Sequence, residues 1–245
     1  MLSLVALATA VTLAGQQASP RNGEDLVREM HDRYAGKWYR TLTFVQKTTY
    51  PVGKVETWYE AAKLPGNIRI DIAPLDSGKA ILFRSDTIYQ VEGGKVGPGR
   101  AFVHPLLVLG FDVYLDPADK TISKLKGLKF DLTKIHSDTW QGKPVYVVGA
   151  DSGDASSAQF WVDQQNLLFV RMLRPTPQGG VSESQFNKYV KVGQAWLSPE
   201  VLFFVNGKAG NREEYRDWKT NVSFQANLFD PTNFTRAEWI AQPAR

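Results

Sequence analysis

The feature that most constrains the fold is a series of short segments in which apolar and polar residues alternate. The clearest is residues 68–73, where Ile68, Ile70 and Ile72 alternate with charged residues. A period of two places successive side chains on opposite faces of a β-strand. Further strands are predicted at 37–50, 55–62, 79–84, 87–91, 129–137, 143–150, 158–163, 167–173, 182–191, 198–206 and within 211–229. Short strands bounded by turn residues indicate an antiparallel barrel or sandwich, here of about eleven strands in one domain.

Helices are predicted at the start and in the middle of this series. Residues 24–34 carry apolar side chains at helical spacing and acidic residues in the first turn. Residues 101–115 form the most apolar stretch after the N-terminus and are predicted to be helical up to Gly110. A further helix to about 125 would be capped by Asp116, with Pro117 at its first position. Gly-rich residues 93–99 are interpreted as a flexible hinge, and polar residues 207–217 as a loop.

The N-terminal segment predicts export. Residues 1–14 are uncharged and largely apolar, too short to span a bilayer, and they match the apolar part of a signal peptide, although a basic start is missing. The alternative is a buried N-terminal helix, but polar residues 15–23 favour a linker. Residues 13–16, Leu-Ala-Gly-Gln, resemble a bacterial lipobox with Gln16 in place of Cys. The expected mature protein is therefore soluble and has no lipid anchor.

Composition excludes several classes of function. The chain has no Cys, which removes disulfides, thiolate metal sites and thiol nucleophiles, and only three His, which disfavours a His-rich metal site. A net charge of +4 is too dilute to indicate nucleic-acid binding. His136, Ser137 and Asp138 are adjacent, but neighbours on a strand point to opposite faces and cannot form a triad. We therefore predict no enzyme activity, no cofactor and no metal.

The order of elements carries a family resemblance. It consists of the first helix, Phe44-x-Gln46, Val55-x-x-Trp58-Tyr59, residues 65–71 (Pro-Gly-Asn-Ile-Arg-Ile-Asp), Ile81-Leu82-Phe83, Thr87-Ile88-Tyr89, the middle helices, and residues 160–163 (Phe-Trp-Val-Asp) leading into residues 167–171 (Leu-Leu-Phe-Val-Arg). Over about residues 24–206 this resembles the LolA/LolB-like group of bacterial periplasmic lipoprotein carriers and outer-membrane lipoprotein-sorting proteins. The domain would span residues 24–245, with a C-terminal extension from about 207.

The resemblance implies an unclosed, curved antiparallel barrel whose apolar concave face is covered by a helical lid. The expected ligand is a lipid or the acyl chains of a lipoprotein, carried in the periplasm, and the resemblance also implies protein partners in the inner or outer membrane. The expected cavity wall is Trp38, Leu42, Phe44, Ile68, Ile70, Ile72 and Leu82, and the expected lid side chains are Phe102, Leu106, Leu107, Leu109 and Phe111. Each of the wall residues is equally compatible with an ordinary core position.

Two other functions remain open from the sequence. The chain could be an envelope sensor or assembly module of the same fold that binds a protein partner without lipid transport. Its interface would be the tail, which contains Trp218, Phe224, Phe229, Phe234 and Trp239. A hydrolase on an all-β scaffold is the third, although the sequence shows no convergent polar site for it. The size of the concave cavity distinguishes a carrier from a structural module.

Overall fold

The computed structural model describes residues 19–235 and 237–240, so the predicted signal segment, residues 1–14, lies outside the described part of the chain. The helices are α1 (Gly23–Tyr34), α2 (Pro105–Gly110) and α3 (Ala118–Gly127). The first eight strands are β1 (Thr41–Thr49), β2 (Val55–Lys63), β3 (Asn67–Ile72), β4 (Lys79–Arg84), β5 (Thr87–Glu92), β6 (Lys95–Val96), β7 (Arg100–Ala101) and β8 (Ile135–Trp140). The others are β9 (Lys143–Val148), β10 (Gln159–Asp163), β11 (Phe169–Pro175), β12 (Val181–Asn187), β13 (Val190–Val192), β14 (Ala195–Leu197), β15 (Glu200–Val205) and β16 (Lys208–Thr220).

One large antiparallel sheet dominates the molecule. Its strands follow the order β6-β5-β4-β3-β2-β1-β16-β15-β12-β11-β10-β9-β8, with β7 beside β5, while β13 and β14 form a separate hairpin. Strands β6 and β8 lie at the two ends of this order, so the sheet is curved but not closed. The predicted unclosed antiparallel architecture is confirmed. The described residues contain 16 strands rather than about eleven, because the predicted strand 182–191 is divided into β12 and β13, and the short strands β6, β7 and β14 were not recognised.

Strand β16 is the largest departure from the sequence prediction. Residues 207–217 were predicted as a polar loop, and this is wrong, because β16 runs from Lys208 to Thr220. It pairs with β1 on one side and β15 on the other, so it lies inside the sheet. Its polar residues are compatible with a strand because most of them remain accessible to solvent on the outer face. The part of the chain from about 207 therefore begins with a central strand.

Helix α1 matches its prediction closely. The side chain of Asn22 caps it by accepting a hydrogen bond from the Asp25 backbone N–H at 2.8 Å. Leu26, Val27 and Met30 are fully buried on one side of the helix. They join the main hydrophobic core, which lies between the concave face of the sheet and the helices.

The first of the two middle helices is shorter than predicted, and the second ends slightly later than predicted. Helix α2 begins only at Pro105, since Arg100 and Ala101 belong to β7, and a 3-10 turn at Asp112–Tyr114 leads towards α3. The expected cap of α3 by Asp116 is wrong: the residue before the helix is Pro117, and no side chain caps it. The buried Asp116 carboxylate instead contacts Lys120 at 2.9 Å and Lys124 at 3.6 Å. None of the helices in the described residues is both long and apolar enough to cross a membrane.

The Gly-rich segment 93–99 is largely ordered by pairing. Lys95 and Val96 form β6 against β5, and the Gly97 backbone N–H donates to the Gln90 carbonyl at 2.8 Å. The prediction of a flexible hinge is wrong for these residues. Gly78 and Gly94 approach closely, and a Cβ atom on Gly78 would lie 2.5 Å from the Gly94 nitrogen, so Gly78 could not carry a side chain without a backbone shift.

The C-terminal segment covers the outer, convex face of the first strands. Leu228 and Phe229 are buried against Ala61 of β2, with Phe224 and Trp239 around them. Phe234 packs beside the buried group Ala80, Leu82 and Val91 of β4 and β5. Both faces of this half of the sheet are therefore covered, the concave face by helices and the convex face by the tail.

Candidate functional site

A cavity of about 340 Å³ lies between the concave face of the sheet and helix α2. Strands β1, β2, β3, β4, β15 and β16 supply one wall, and α2 with the β12–β14 region supplies the rest. Its volume is within the range of roughly 300–1,000 Å³ that is usual for small-molecule sites. The apolar and aromatic lining residues are Tyr39, Leu42, Phe44, Trp58, Ile68, Ile70, Ile81, Phe83, Leu106, Leu107, Phe111, Phe186, Tyr189, Trp196, Leu197, Val201, Phe203 and Tyr215.

Strand register builds the wall. Residues directly opposite each other in an antiparallel pair share a face of the sheet. Ile70 lies opposite Ile81, and Ile68 lies opposite Phe83, so β3 and β4 present four apolar side chains to the same cavity. Four of the seven predicted wall residues line it, namely Leu42, Phe44, Ile68 and Ile70.

The other three predicted wall residues lie elsewhere. Trp38 stacks on Tyr114 with ring centroids 3.9 Å apart and belongs to the core beside α1. Ile72 is buried in the same core without lining the cavity. Leu82 is on the convex face, because its partner across the β3–β4 pair is Arg69 and not one of the isoleucines. Its expected position is taken by Ile81 and Phe83, whose side chains share the face of Ile70 and Ile68.

The predicted lid is divided in the same way. Leu106, Leu107 and Phe111 line the cavity from above the sheet. Leu109 is fully buried and packs into the core instead, on another side of the short helix. Phe102 precedes the helix and contacts the rings of Phe83 and His104 at centroid distances of 6.2 and 5.5 Å, outside the cavity lining.

Polar connections fix both ends of the lid segment to hairpin turns. At its start, the Phe102 backbone N–H donates to the Asp86 carbonyl at 2.7 Å. At its end, the Gly66 backbone N–H donates to the Asp112 carboxylate at 3.0 Å. Burial raises the pKa of Asp112 to about 6, although the Gly66 N–H and nearby Lys124 act in the opposite direction. Lys124 also contacts the Asp86 carboxylate at 2.9 Å. The segment between these anchors carries α2.

Sequence reasoning missed a polar group in the cavity. Gln46, Glu60, Glu213 and Tyr215 line it together with His104. The signal was present in β16, where Glu213 and Tyr215 are two residues apart and therefore share a face. It was not recognised because residues 207–217 were predicted as a loop. Glu60 was not recognised because one carboxylate within an otherwise ordinary strand pattern is usually solvated.

Burial controls the protonation of these side chains. Glu60 is only 4% exposed, and burial, together with the nearby Glu213 carboxyl, raises the pKa of Glu60 well above its ordinary range. Burial also raises the pKa of Glu213 to about 7, although the Tyr215 hydroxyl donates a hydrogen bond to its Oε2 at 2.6 Å. Burial lowers the pKa of His104 to about 4. Burial therefore favours the uncharged forms of both Glu60 and His104 in the cavity.

Glu213→Gln is expected to remove a pH-dependent loss of stability. The carboxyl has a pKa of about 7 in the folded chain against an ordinary 4.5, so the folded state holds a proton that the unfolded state loses between these values. The free energy of unfolding therefore falls by on the order of 2–3 kcal/mol as pH rises from 4.5 to 7, and it is level above pH 7. Chemical denaturation should find the variant more stable than wild type near pH 8, with little difference near pH 4.

The matched control is Glu214→Gln on the same strand. The Glu214 carboxylate is 38% exposed and forms ion pairs with Lys47 and Arg212, so its removal should change stability by no more than about 1 kcal/mol. If Glu213→Gln and wild type keep parallel stability curves between pH 4.5 and 7, the raised pKa of Glu213 is wrong.

The fold is similar to solved structures of low sequence identity. A domain from Vibrio parahaemolyticus named for outer membrane lipoprotein sorting superposes with a TM-score of 0.57 at 12% identity, covering 86% of this chain and 97% of that one. A DUF1329 family protein from Desulfovibrio piger gives 0.57 at 14% identity, covering 87% and 98%. A LolA superfamily protein from Nitrosomonas europaea gives 0.52 at 15% identity, covering 85% and 97%.

These similarities establish the fold and extend along nearly the whole of each relative. No protein-family model matches the chain, and no curated protein matches it in sequence. The predicted resemblance is therefore confirmed as a LolA-like fold. It is a similarity of architecture at low sequence identity.

Proposed function

We propose that this chain, which has a LolA-like fold, is a periplasmic carrier that binds a lipid or the acyl chains of a lipoprotein in the cavity under α2. The observation that supports the proposal most strongly is the cavity itself. The concave face is larger than the helices fill, and the space of about 340 Å³ is bounded mainly by apolar and aromatic side chains. A purely structural module would be expected to fill this face with its own side chains.

Burial of the acyl chain would supply the binding free energy. Each methylene removed from water contributes about 0.8 kcal/mol. The walls give no directional contacts to a hydrocarbon chain, so affinity would depend on chain length more than on exact structure. This property suits a carrier that accepts acyl chains of different structure.

Release requires the lid to compete with the ligand. Leu106 and Leu107 of α2 face the cavity, so an acyl chain and these side chains share one surface. The ends of the lid segment are fixed by the Phe102 backbone N–H, which donates to the Asp86 carbonyl, and by the Asp112 carboxylate, which accepts from the Gly66 backbone N–H. We propose that α2 moves between these two anchors, opening the cavity when cargo enters and covering the sheet when cargo leaves.

The alternative of an assembly module that uses its aromatic tail has less support. Trp218 packs against the main core, Phe224 and Phe229 pack on β2, and Phe234 packs near β4. The Trp239 indole N–H donates to the buried Asp71 carboxylate at 2.8 Å. These side chains pack on the chain's own sheet, which leaves less of their surface for an interface with a partner. We propose no catalytic role for the cavity.

A fluorescent alkyl alcohol that carries a pyrene group tests the proposal. We expect a saturable rise in fluorescence with one site per chain and displacement by unlabelled hexadecanol, because an uncharged chain matches the apolar walls. Shorter alcohols should displace the probe progressively less well. A signal that does not saturate, or that hexadecanol does not reverse, would contradict carrier function.

A further inference from the structure

The cavity contains two carboxyl groups that a hydrocarbon ligand would leave unused. Strands β2 and β16 lie on either side of β1, with Glu60 opposite Phe44 and Glu213 opposite Thr48. Phe44 and Thr48 are four residues apart on one strand and therefore share a face. The register thus places Glu60 and Glu213 on the cavity side, on either side of β1 and offset by four residues along it, and both line the cavity.

One of these carboxyls lacks a partner within the chain. The Glu213 Oε2 accepts the Tyr215 hydroxyl at 2.6 Å. The side-chain amide of Gln46, which lies between the two acids, donates to the Thr48 hydroxyl at 2.7 Å. The Glu60 Oε1 is buried and has no hydrogen-bond partner among the described residues. A buried polar atom without a partner is costly, and a group on a ligand is one way to satisfy it.

The charge of the lining favours a cation. The described residues that line the cavity include no lysine and no arginine, and the His104 imidazole is uncharged there at neutral pH. A buried carboxylate or phosphate would therefore meet two acids and no base, which is unfavourable. The net charge of the whole chain is +4, so a preference for cations could not come from the overall charge.

We propose that the cavity binds a single apolar chain that carries a primary amine, and that Glu60 and Glu213 hold the amine. This inference rests on the proposed carrier function and specifies its ligand class. The ammonium group enters with its positive charge, one carboxyl releases its proton to solvent, and an ammonium–carboxylate pair forms with no other change. The aromatic rings of Phe44 and Trp58 lie in the same lining and suit a cation.

The test compares three ligands of equal chain length at neutral pH: hexadecylamine, hexadecanol and palmitate. Each displaces the pyrene-labelled alcohol from wild type, from Glu60→Gln, from Glu213→Gln and from the double variant. Glu214→Gln serves as the control, because its carboxylate lies in exposed ion pairs on the same strand. Hexadecanol binding reports that each variant still forms the cavity.

We expect wild type to bind hexadecylamine at least about tenfold more tightly than palmitate, with hexadecanol between them. The double variant should lose this preference and bind the amine no more tightly than hexadecanol, and Glu214→Gln should behave as wild type. If hexadecanol binds, but palmitate or hexadecanol binds as tightly as the amine or more tightly, the inference fails and the carrier function stands. The same holds if the preference for the amine survives in the double variant. If none of the three ligands binds, the carrier function fails and the inference with it.

Discussion

Ile81→Trp is expected to reduce binding of an uncharged acyl ligand by at least about tenfold, because the indole ring would occupy space that the chain needs. Ile81 lies on β4 opposite Ile70, and its partly buried side chain faces the cavity. The larger ring can extend into a space of about 340 Å³, so the variant should fold. Displacement of the pyrene-labelled alcohol gives the affinity, and thermal unfolding gives the stability.

Lys79→Trp is the matched control for this substitution. Lys79 is on the same strand and, two residues from Ile81, on the same face, but it is exposed and does not line the cavity. Its replacement by tryptophan should leave ligand affinity within about twofold of wild type. Equal affinities for wild type and Ile81→Trp, with both proteins folded, would show that the ligand binds elsewhere.

Arg69→Met is expected to cause the largest loss of stability, about 3–5 kcal/mol. Arg69 is 1% exposed and forms a two-pronged ion pair with Asp71 at 2.7 and 2.9 Å. Its guanidinium also donates to the Thr235 carbonyl at 2.7 Å and lies 4.3 Å from the Phe234 ring centroid. Removal of the cation leaves the Asp71 carboxylate buried and detaches the tail from the convex face. Urea denaturation measures the loss.

Limited proteolysis gives a second reading of the same variant. Cleavage beyond residue 220 should become faster in Arg69→Met, since the tail loses its contacts with β3. The control, Arg84→Met, removes an ion pair with Asp230 in which the arginine is 45% exposed, so the expected loss is no more than about 1 kcal/mol. An Arg69→Met protein as stable as this control would exclude a structural role for the buried pair.

The architecture could be predicted from the sequence where local pattern and burial agree. In β3 the alternation is complete, so the cavity side chains Ile68 and Ile70 were assigned to the right face. In β4 both faces are apolar, because the tail covers the convex face. Ala80 and Leu82 on that face are buried as completely as residues of a cavity wall. The face of Leu82 depends on pairing with β3 and on a segment distant in sequence. The alternation within β4 therefore could not predict on which face of the sheet Leu82 lies.

Strand β16 and the acidic pair were unpredictable for a related reason. Residues 208–220 are strongly polar, and their strand conformation is imposed by backbone hydrogen bonding to β1 and β15 on both sides. Once β16 is placed beside β1, Glu213 faces the cavity that Glu60 also lines. Neither residue carries a sequence motif, because their proximity arises from two separate strand pairings.

The most direct test of the central claim is native mass spectrometry of the chain after incubation with lipid vesicles. The vesicles contain phosphatidylethanolamine, phosphatidylglycerol and a synthetic triacylated lipopeptide, and the protein is separated from them before measurement. Carrier function predicts wild type with one bound lipid or lipopeptide per chain and Ile81→Trp in the unbound form. Wild type that is entirely unbound, or Ile81→Trp that binds as much as wild type, would contradict an acyl-binding cavity under α2.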